Sequence, residues 1–527
     1  MRHMSALTPE AAETVKPVAS PSTDVYCVFG ADPEVQAYAM AKYSRSALSM
    51  RESLAELNEQ KAEKFLDTFY FQYGHRSIAD LAHVAIAIER LSMLAATVVV
   101  DETRWDGQER SSRYQDFKKS GYYTPEFSSP TSASRYRETI DFLFAEYREF
   151  SERMFQHLVT RTPRPEEMKQ DAYERTLRAR AFDIARYLLP LATNTSLGQI
   201  VNARTLETQV SRLLAHTHPE IRQLGALLKD AGRGAAWNVN SAAYAELVAA
   251  IREQSESLGE KAEQLLLRPV KVSPTLVKYA EPNAYEMETR RELTQAVREL
   301  MRDAEPDHAP LVDLLDPEPL EIELATTLLY EHSIYPYRQI RTAVESLSGH
   351  ARHAIVALGT KHRGRHDELL RAFQCGQHFR FDILMDIGGF RDMHRHRRCV
   401  QILQAYTTAH GFAMPHEYAE AGLTARYRAA MANASYAATQ ITGEVAPGVV
   451  SPEAQYLIPL AYRKRALFKM DLAEVVYITE LRTGPAGHFS YREVAYKMYE
   501  AVAERYPALG QYFRVTDVRQ PVDLLKR

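Results

Sequence analysis

The sequence predicts an α+β chain built as two tandem repeats, and three repeated phrases carry that reading. Each half opens alike, with ADPEVQAYAMAKYSRS near residue 31 and LDPEPLEIELATTLLYEHS near residue 315. Each then reaches a short alternating segment, HVAIAIE at 83–89 and HFRFDI at 378–383. Each later carries an apolar-Leu-x-Pro-Leu phrase, RYLLPLATNT at 186–195 and QYLIPLAYRK at 455–464. Tandem copies of one unit usually pack together, because each buries the other's incomplete face.

Taken in order, residues 1–22 lack the apolar stretch of a signal peptide and are expected as a flexible leader. The first repeat spans 23–267. Its opening phrase reads as a turn followed by an amphipathic helix, from the helical spacing of its apolar residues. HVAIAIE alternates and reads as a half-buried strand. A helix leads from it to DETRWDGQERSSRY, and helices follow at about 133–159 and 165–187. A strand-like run and the helix VNARTLETQVSRLL come next. The stretch 241–267 reads as one strong helix with charge pairs four residues apart. Prolines and acidic residues at 268–305 mark a junction. The second repeat, 306–527, replays the order: helix, strand HFRFDI, helix into FRDMHRHRRCVQILQAYTT, then the helix MDLAEVVYITELR.

At 527 residues the chain exceeds one ordinary core. Its 45% apolar and 25% charged residues are those of a soluble globular protein, and the cytoplasm is the expected compartment. A formal charge of −3 offers no overall attraction to nucleic acid or anionic membrane, so anion binding must come from local arginine clusters. Three cysteines without a CxxC pair argue against a disulfide framework or a zinc site. His394 and His396, two apart, do not share a helix face, which argues against a metal there. No apolar run approaches the ~18 residues of a membrane span.

The residues that could carry chemistry are split between the halves. The first has Gly74-His75-x-Ser77, then Glu109-x-Ser111-x-Arg113-Tyr114, Arg186-x-x-Leu189-Pro190 and Asn202-Ala203-Arg204. The second has Arg395-His396-Arg397, thirteen residues after Asp382, and Arg482, eleven after Asp471. These pieces resemble, as two diverged copies over most of the chain, the flavin-dependent thymidylate synthases. That family has the signature RHRxxSxNExSxRY, preceded by GHxS/T and followed by RxxLP, NAR and a late Arg. The first half departs from it with Asp101-Glu102-Thr103 in place of Arg-His-Arg, and Arg212 lies one residue early for the late Arg. The second departs with Thr407-Thr408 for Arg-Tyr, Gln455 for the Arg before LxP, and Asp471-Leu472-Ala473 for Asn-Ala-Arg.

The two retained sets are complementary, so one composite site shared by the halves is expected. The resemblance implies an antiparallel sheet flanked by helices in each repeat, and a homodimer that imitates the family's tetramer. It also implies one FAD per chain, with methylenetetrahydrofolate and NADPH as co-substrates and methylation of the uracil C5 of dUMP. Ser111, Arg113 and Arg186 would hold the nucleotide phosphate, which needs guanidinium forks and hydroxyl donors. Tyr114 belongs to the same substrate group, and Glu109 would orient nucleotide or flavin donors. Arg482 would sit over the uracil edge, where negative charge develops. Arg395, His396 and Arg397 would cradle the flavin, with Arg395 also touching the nucleotide. Asn202, Arg204, His75 and Ser77 would line the flavin. Asp101 and Glu102 should repel it from the opposite pairing, since like charges at ~4 Å cost about 4 kcal/mol at a dielectric of 20.

Blander readings stand beside these. HRHRR alone fits a solvated basic helix end, His75 fits a helix cap, and KHRGRH at 361–366 fits an exposed basic loop. Two other functions stay open: a flavoenzyme acting on another pyrimidine nucleotide or nucleoside, and a non-catalytic flavin- or nucleotide-binding assembly protein.

Overall fold

Two antiparallel sheets of matching topology form the two halves. The computed structural model describes residues 30–42, 51, 54, 76–316, 318–364, 367, 369–442, 444–446, 449–511 and 513–525. The first half runs α1 (Pro33–Lys42), β1 (His83–Ser92), α2 (Met93–Val99), β2 (Asp106–Glu109), α3 (Pro130–Arg161), α4 (Gln170–Ala185), β3 (Asn194–Asn202), α5 (Ala203–Leu214) and α6 (Pro219–Arg233). After α7 (Ser241–Gln254), α8 (Glu256–Leu266) and α9 (Ala284–Leu300), the second half follows. It contains β4 (Val312–Leu314), α10 (Leu320–Tyr330), α11 (Tyr337–Glu345), α12 (Gly349–Lys361), β5 (Phe379–Asp386), α13 (Ile387–Met393), β6 (Val400–Leu403) and α14 (Thr424–Thr442). A two-stranded ribbon, β7 (Glu444–Ala446) with β8 (Val449–Val450), precedes β9 (Arg463–Met470), α15 (Leu472–Arg482) and α16 (Phe489–Arg505).

The strand order is β1-β3-β2 in the first sheet and β4-β5-β9-β6 in the second. Leaving β4 aside, β5, β9 and β6 stand where β1, β3 and β2 stand. The correspondence extends to single capping side chains. Each helix that follows β1, β3, β5 or β9 starts on a polar cap that accepts from a backbone N–H three residues on: Ser92 from Ala95 at 2.9 Å, Asn202 from Thr205 at 2.8 Å, Asp386 from Gly389 at 2.7 Å and Asp471 from Glu474 at 2.9 Å. One swap shows how the copies diverged. Ser92 donates its hydroxyl to Glu220 at 2.6 Å, whereas in the second half Ser490 donates to Asp386. Serine and carboxylate have exchanged places with the bond retained. Gly389 is needed there, since a Cβ would come 2.6 Å from Ser490 Oγ.

The halves meet across a pseudo-twofold axis at the repeated Leu-x-Pro-Leu phrases. Pro190 faces Pro459 in an antiparallel bridge. Leu191 N–H donates to Ile458 O and Leu460 N–H to Leu189 O, both at 3.0 Å. Ala192 to Tyr456 and Ala461 to Tyr187 repeat that reciprocity further out. Leu189, Leu191, Ile458 and Leu460 are fully buried, and one hydrophobic core runs from Ile88 through Tyr187 to Tyr456 and Tyr462. Each repeat therefore covers the other's apolar face, as tandem packing requires.

One expected element differs. The single helix over 241–267 breaks at Ser255, which is extended (φ −160°, ψ 116°), and the chain folds back as the α7–α8 hairpin. Gly259 accounts for the fold-back: a Cβ there would lie 2.7 Å from Arg252 Cβ, while Arg252 Nη2 reaches Glu263 at 2.6 Å. Gly259→Ala is expected to loosen this hairpin by about 1–3 kcal/mol through overpacking. Amide hydrogen exchange over 241–266 checks it, with little change elsewhere. The 268–305 junction packs against both halves. Val277 and Ala280 join the main core, whereas Leu293 and Val297 of α9 join the core of the second half.

Candidate functional site

Residues from both halves converge around α13, the loop after α15, and the segment after β2. Arg113 sends all three of its donor groups into protein partners: Nε to Asp183 Oδ1 at 3.1 Å, Nη1 to Tyr491 OH at 2.9 Å and Nη2 to Ala486 O at 2.8 Å. Two of those partners belong to the second half. Burial works against the Arg113 charge, but Asp183, Tyr491 and Asp392 outweigh it and hold its pKa above the usual range. Glu109 pairs with Arg391 of α13. Arg186 is 2% exposed. Its Nη1 donates to Ser112 Oγ at 3.4 Å and lies 3.6 Å from Asp392 Oδ2, and its Nε lies 3.4 Å from Asp183 Oδ1.

Asp183 is the hub. Besides two arginines it meets His488 Nδ1 at 3.0 Å, and His488 Nε2 bonds the Tyr187 hydroxyl at 2.9 Å. Burial pushes the Asp183 pKa up, yet His488, Arg186 and Arg113 together hold it well below the usual carboxylate range.

The Arg-His-Arg triplet diverges in direction. Arg395 is exposed. His396 is buried and its Nε2 accepts from Arg482 Nε at 2.7 Å, while its Nδ1 lies 3.7 Å from Glu474. Arg397 lies over the Trp105 ring, 4.3 Å from its centroid, and Trp105 Nε1 donates to Gln199 at 2.7 Å. Tyr491 is flanked by Arg113 and Arg482, each with its guanidinium carbon 5.5 Å from the ring centroid. HRHRR is therefore not a solvated helix end, because His394 and His396 are both buried and only Arg395 and Arg398 are exposed.

The donors left over decide what the cluster can hold. Arg186 Nε and Nη2, Arg391 Nε and Arg397 Nε are buried without a hydrogen-bond partner among the described residues. A buried N–H without an acceptor costs about 1–3 kcal/mol, more when charged. Four such nitrogens on three arginines suit an anionic ligand, so the donor set fits a nucleotide phosphate and a flavin diphosphate.

Other expected residues lie apart. Ser111 is half-buried, and its Oγ accepts from the Arg113 N–H at 3.3 Å. Tyr114 is 45% exposed. Asn202 is committed to capping α5, and Arg204 pairs with Asp80 at 3.5 Å. His75 and the Ser77 side chain lie outside the described residues.

The expectation for Asp101 and Glu102 needs correcting. They are not bare repelling charges, because each has its own arginine. Arg371 pairs with Asp101, and Arg212 donates to Glu102 from Nε at 3.0 Å and Nη2 at 2.6 Å. Arg212–Glu102 repeats Arg482–His396 across the pseudo-twofold axis, with a carboxylate in place of the imidazole. Arg371 is distant in sequence from Asp101, and nothing local to Asp101-Glu102-Thr103 encodes the pair.

A model of the thymidylate synthase complementing protein family matches residues 28–236 and 318–508. The chain belongs to this family. Similar relatives include a UPF0159 protein of Chlamydia muridarum, 29% identical over 92% of this chain and 90% of its own length. One of Chlamydia pneumoniae is 28% identical over 94% and 92%, and one of Thermoplasma acidophilum 24% over 91% and 94%. Among solved structures, a flavin-dependent thymidylate synthase ThyX from Helicobacter pylori, complexed with FAD and dUMP, aligns at 14% identity. It covers 38% of this chain and 89% of that chain, with a TM-score of 0.26. Family membership accounts for the two-segment match, one to each repeat. Among the described residues no helix is long and apolar enough to cross a membrane, and no three His, Cys, Asp or Glu side chains are placed to hold a metal ion.

Asp183, Arg391, Asp392, His488 and Tyr491 were not singled out from sequence. Asp183 carried a usable signal, three residues before Arg186 on the same helical face. Arg391 and Asp392 had only their place in FRDMHRHRR.

His396 gives a direct check on Arg482. Burial pushes its pKa down, so at neutral pH the ring is neutral and can accept from Arg482. His396→Gln retains an acceptor and should leave nucleotide affinity within a few-fold. His396→Phe removes it and is expected to weaken binding about 10-fold, the scale of one bond to a charged group. A depressed histidine pKa favours the folded, neutral form above about 6.5. That contribution is lost as pH falls through the lowered value. Titration of dUMP against flavin fluorescence reads the first effect, and urea unfolding at pH 8 and pH 5.5 reads the second.

Proposed function

We propose that the chain is a flavin-dependent thymidylate synthase that methylates the uracil C5 of dUMP at a site drawn from both repeats. The observation that carries this reading is the convergence of arginines from both halves with buried, unused donors. Family membership supports it independently. Bound FAD, reduced by NADPH, would supply hydride, and methylenetetrahydrofolate the one-carbon unit.

The protein's own part is positioning and charge stabilisation. Arg186, Arg113 and Ser111 hold the nucleotide phosphate, with Arg113 exchanging Tyr491 or Ala486 for a phosphate oxygen. Arg482, fixed by His396, stabilises negative charge at the uracil edge. Arg397, backed by Trp105, and exposed Arg395 hold the flavin. Glu109 fixes Arg391 toward the same space. Family resemblance would add Asn202, Arg204, His75 and Ser77 to the residues near the flavin. Arg395 and Tyr114 stand at the surface, and a second chain packed over them as a homodimer closes the site.

The test is the absorbance spectrum of the purified protein, with released FAD quantified per chain and dUMP then titrated. About one FAD per chain and a dUMP-dependent spectral change support the reading, together with loss of activity in both Arg113→Ala and Arg395→Ala. Normal turnover in either variant removes the shared site. Bound flavin that ignores dUMP favours a different pyrimidine substrate, and a colourless protein that FAD does not reconstitute favours a binding role without catalysis.

A further inference from the structure

The α7–α8 hairpin lies between the two segments that the family model matches. None of its residues joins a hydrophobic core among the described residues. Its helices are 14 and 11 residues long, and Val248 and Gly259 are the only buried residues in them. Isolated helices of that length are marginal in water and take their stability from an apolar face that something else covers. This pair leaves such a face open.

The close approach of Gly259 to Arg252 fixes which sides of the two helices meet. Relative to that contact, helical spacing puts Ala243, Leu247 and Ala250 on one flank of α7. Leu258 and Leu265, seven residues apart, take the flank of α8 on the same side of the hairpin. Leu247 is 49% exposed, Leu258 57% and Leu265 76%, and both alanines are exposed. The opposite side carries the exposed carboxylates Glu256 and Glu260. At the outer edges of the apolar face stand exposed charges of opposite sign, Glu246 and Glu253 on α7 and Lys261 on α8.

These positions are self-complementary about a twofold axis parallel to the hairpin, which lays α7 of one chain antiparallel on α8 of the other. Gly259 is level with Arg252, and each helix rises about 1.5 Å per residue. At those heights Leu247 meets Leu265 of the second copy, and Leu258 falls between Ala250 and Gln254. Lys261 falls between Glu246 and Glu253, about 5 Å along the axis from each. Both pairings occur twice, because such a contact is isologous. An acidic edge therefore meets a basic one, as at the flanks of paired helices.

We propose that the hairpin is a dimerisation arm that packs face to face on the hairpin of a second copy of this chain, forming an antiparallel four-helix bundle. The contact stands whether or not a second chain also closes the arginine site.

Sedimentation velocity of the full-length, flavin-loaded protein over a wide concentration range tests it. The wild-type chain should self-associate. Leu258→Glu combined with Leu265→Glu, both changes at exposed positions, should raise the dissociation constant of that association at least tenfold. Lys261→Glu should raise it about as much, and adding Glu246→Lys and Glu253→Lys to Lys261→Glu should restore it, because the charges are then exchanged in place. A wild-type chain that stays monomeric throughout overturns the proposal. So does an association indifferent to the leucine changes, which would place it on another surface. Loss in Lys261→Glu without recovery in the triple variant also overturns it, since the arm would then serve a different partner or only its own fold. The dUMP response of the flavin, read on the same samples, reports separately on the proposed synthase activity.

Discussion

Replacing Arg186 with methionine is expected to weaken dUMP binding by about 100-fold and to destabilise the fold by about 3 kcal/mol. The binding loss follows from the unused donors. Arg186 Nε and Nη2 are buried without hydrogen-bond partners, Nε lying 3.4 Å from Asp183 Oδ1, and a charge-assisted pair of bonds to phosphate contributes about 1.5–3 kcal/mol per bond. The stability loss follows from what remains behind. Asp392 loses its contact at 3.6 Å, and Asp183 loses one of three close partners while keeping Arg113 and His488. Breaking a buried pair from one side costs about 3–5 kcal/mol, and the retained partners place this case at the lower end. Arg186→Lys separates the effects, because an ammonium restores charge beside Asp183 but not the planar fork. Lysine should recover most of the urea midpoint and little of the dUMP affinity. Equal recovery of both would mean that Arg186 serves only as a structural cation.

The acid limb of stability has the same origin. Asp183 is held below its unfolded value, so its contribution is present above about pH 4 and is lost as pH falls toward the lowered pKa. Asp101 behaves alike: burial raises its pKa, and Arg371, His394 and Arg212 more than reverse that.

The duplication was legible in the sequence because it is written in local phrases. Leu-x-Pro-Leu at 188–191 and 457–460 lies on the pseudo-twofold axis, and the alternation in HVAIAIE and HFRFDI marks β1 and β5. The candidate residues are likewise split between the halves in the sequence, and the structure places Arg113 and Arg186 against the second-half residues Tyr491, Ala486 and Asp392. Long-range compensation was not. Arg371 on Asp101 and Arg391 on Glu109 are pairs more than 250 residues apart in sequence, and no periodicity encodes them. The break at Ser255 was missed for a different reason. Helix propensity favours continuing through 241–267, and the close approach allowed by Gly259 is a tertiary effect.

Arg465→Met is expected to cost about 3–5 kcal/mol, more at pH 8 than at pH 5. Asp382 lies on β5, the strand that leads into α13 and the Arg395–Arg397 triplet, and it is 0% exposed. It accepts from Arg465 Nη1 at 3.0 Å, Tyr330 OH at 2.7 Å and the Tyr337 N–H at 2.9 Å. Leu384 is the direct partner of Arg465 on β9, so Arg465 reaches Asp382 along the diagonal of the same sheet face. Burial pushes the Asp382 pKa up, with Arg465 the largest opposing influence. A carboxyl whose folded pKa lies above its unfolded one costs nothing below the unfolded value and destabilises progressively as pH rises through the folded value. Removing Arg465 moves that folded pKa higher still, at about 1.4 kcal/mol per unit. The deficit should therefore shrink in acid, where the carboxyl is protonated and remains bonded to Tyr330 and Tyr337. Arg465→Met combined with Asp382→Asn removes the charge while keeping an acceptor for the Tyr337 N–H, and should recover at least half of the loss at pH 8. Urea unfolding of both variants at the two pH values decides the matter. A deficit independent of pH and unrelieved by asparagine would assign the effect to lost packing of the Arg465 stem instead of to the buried charge.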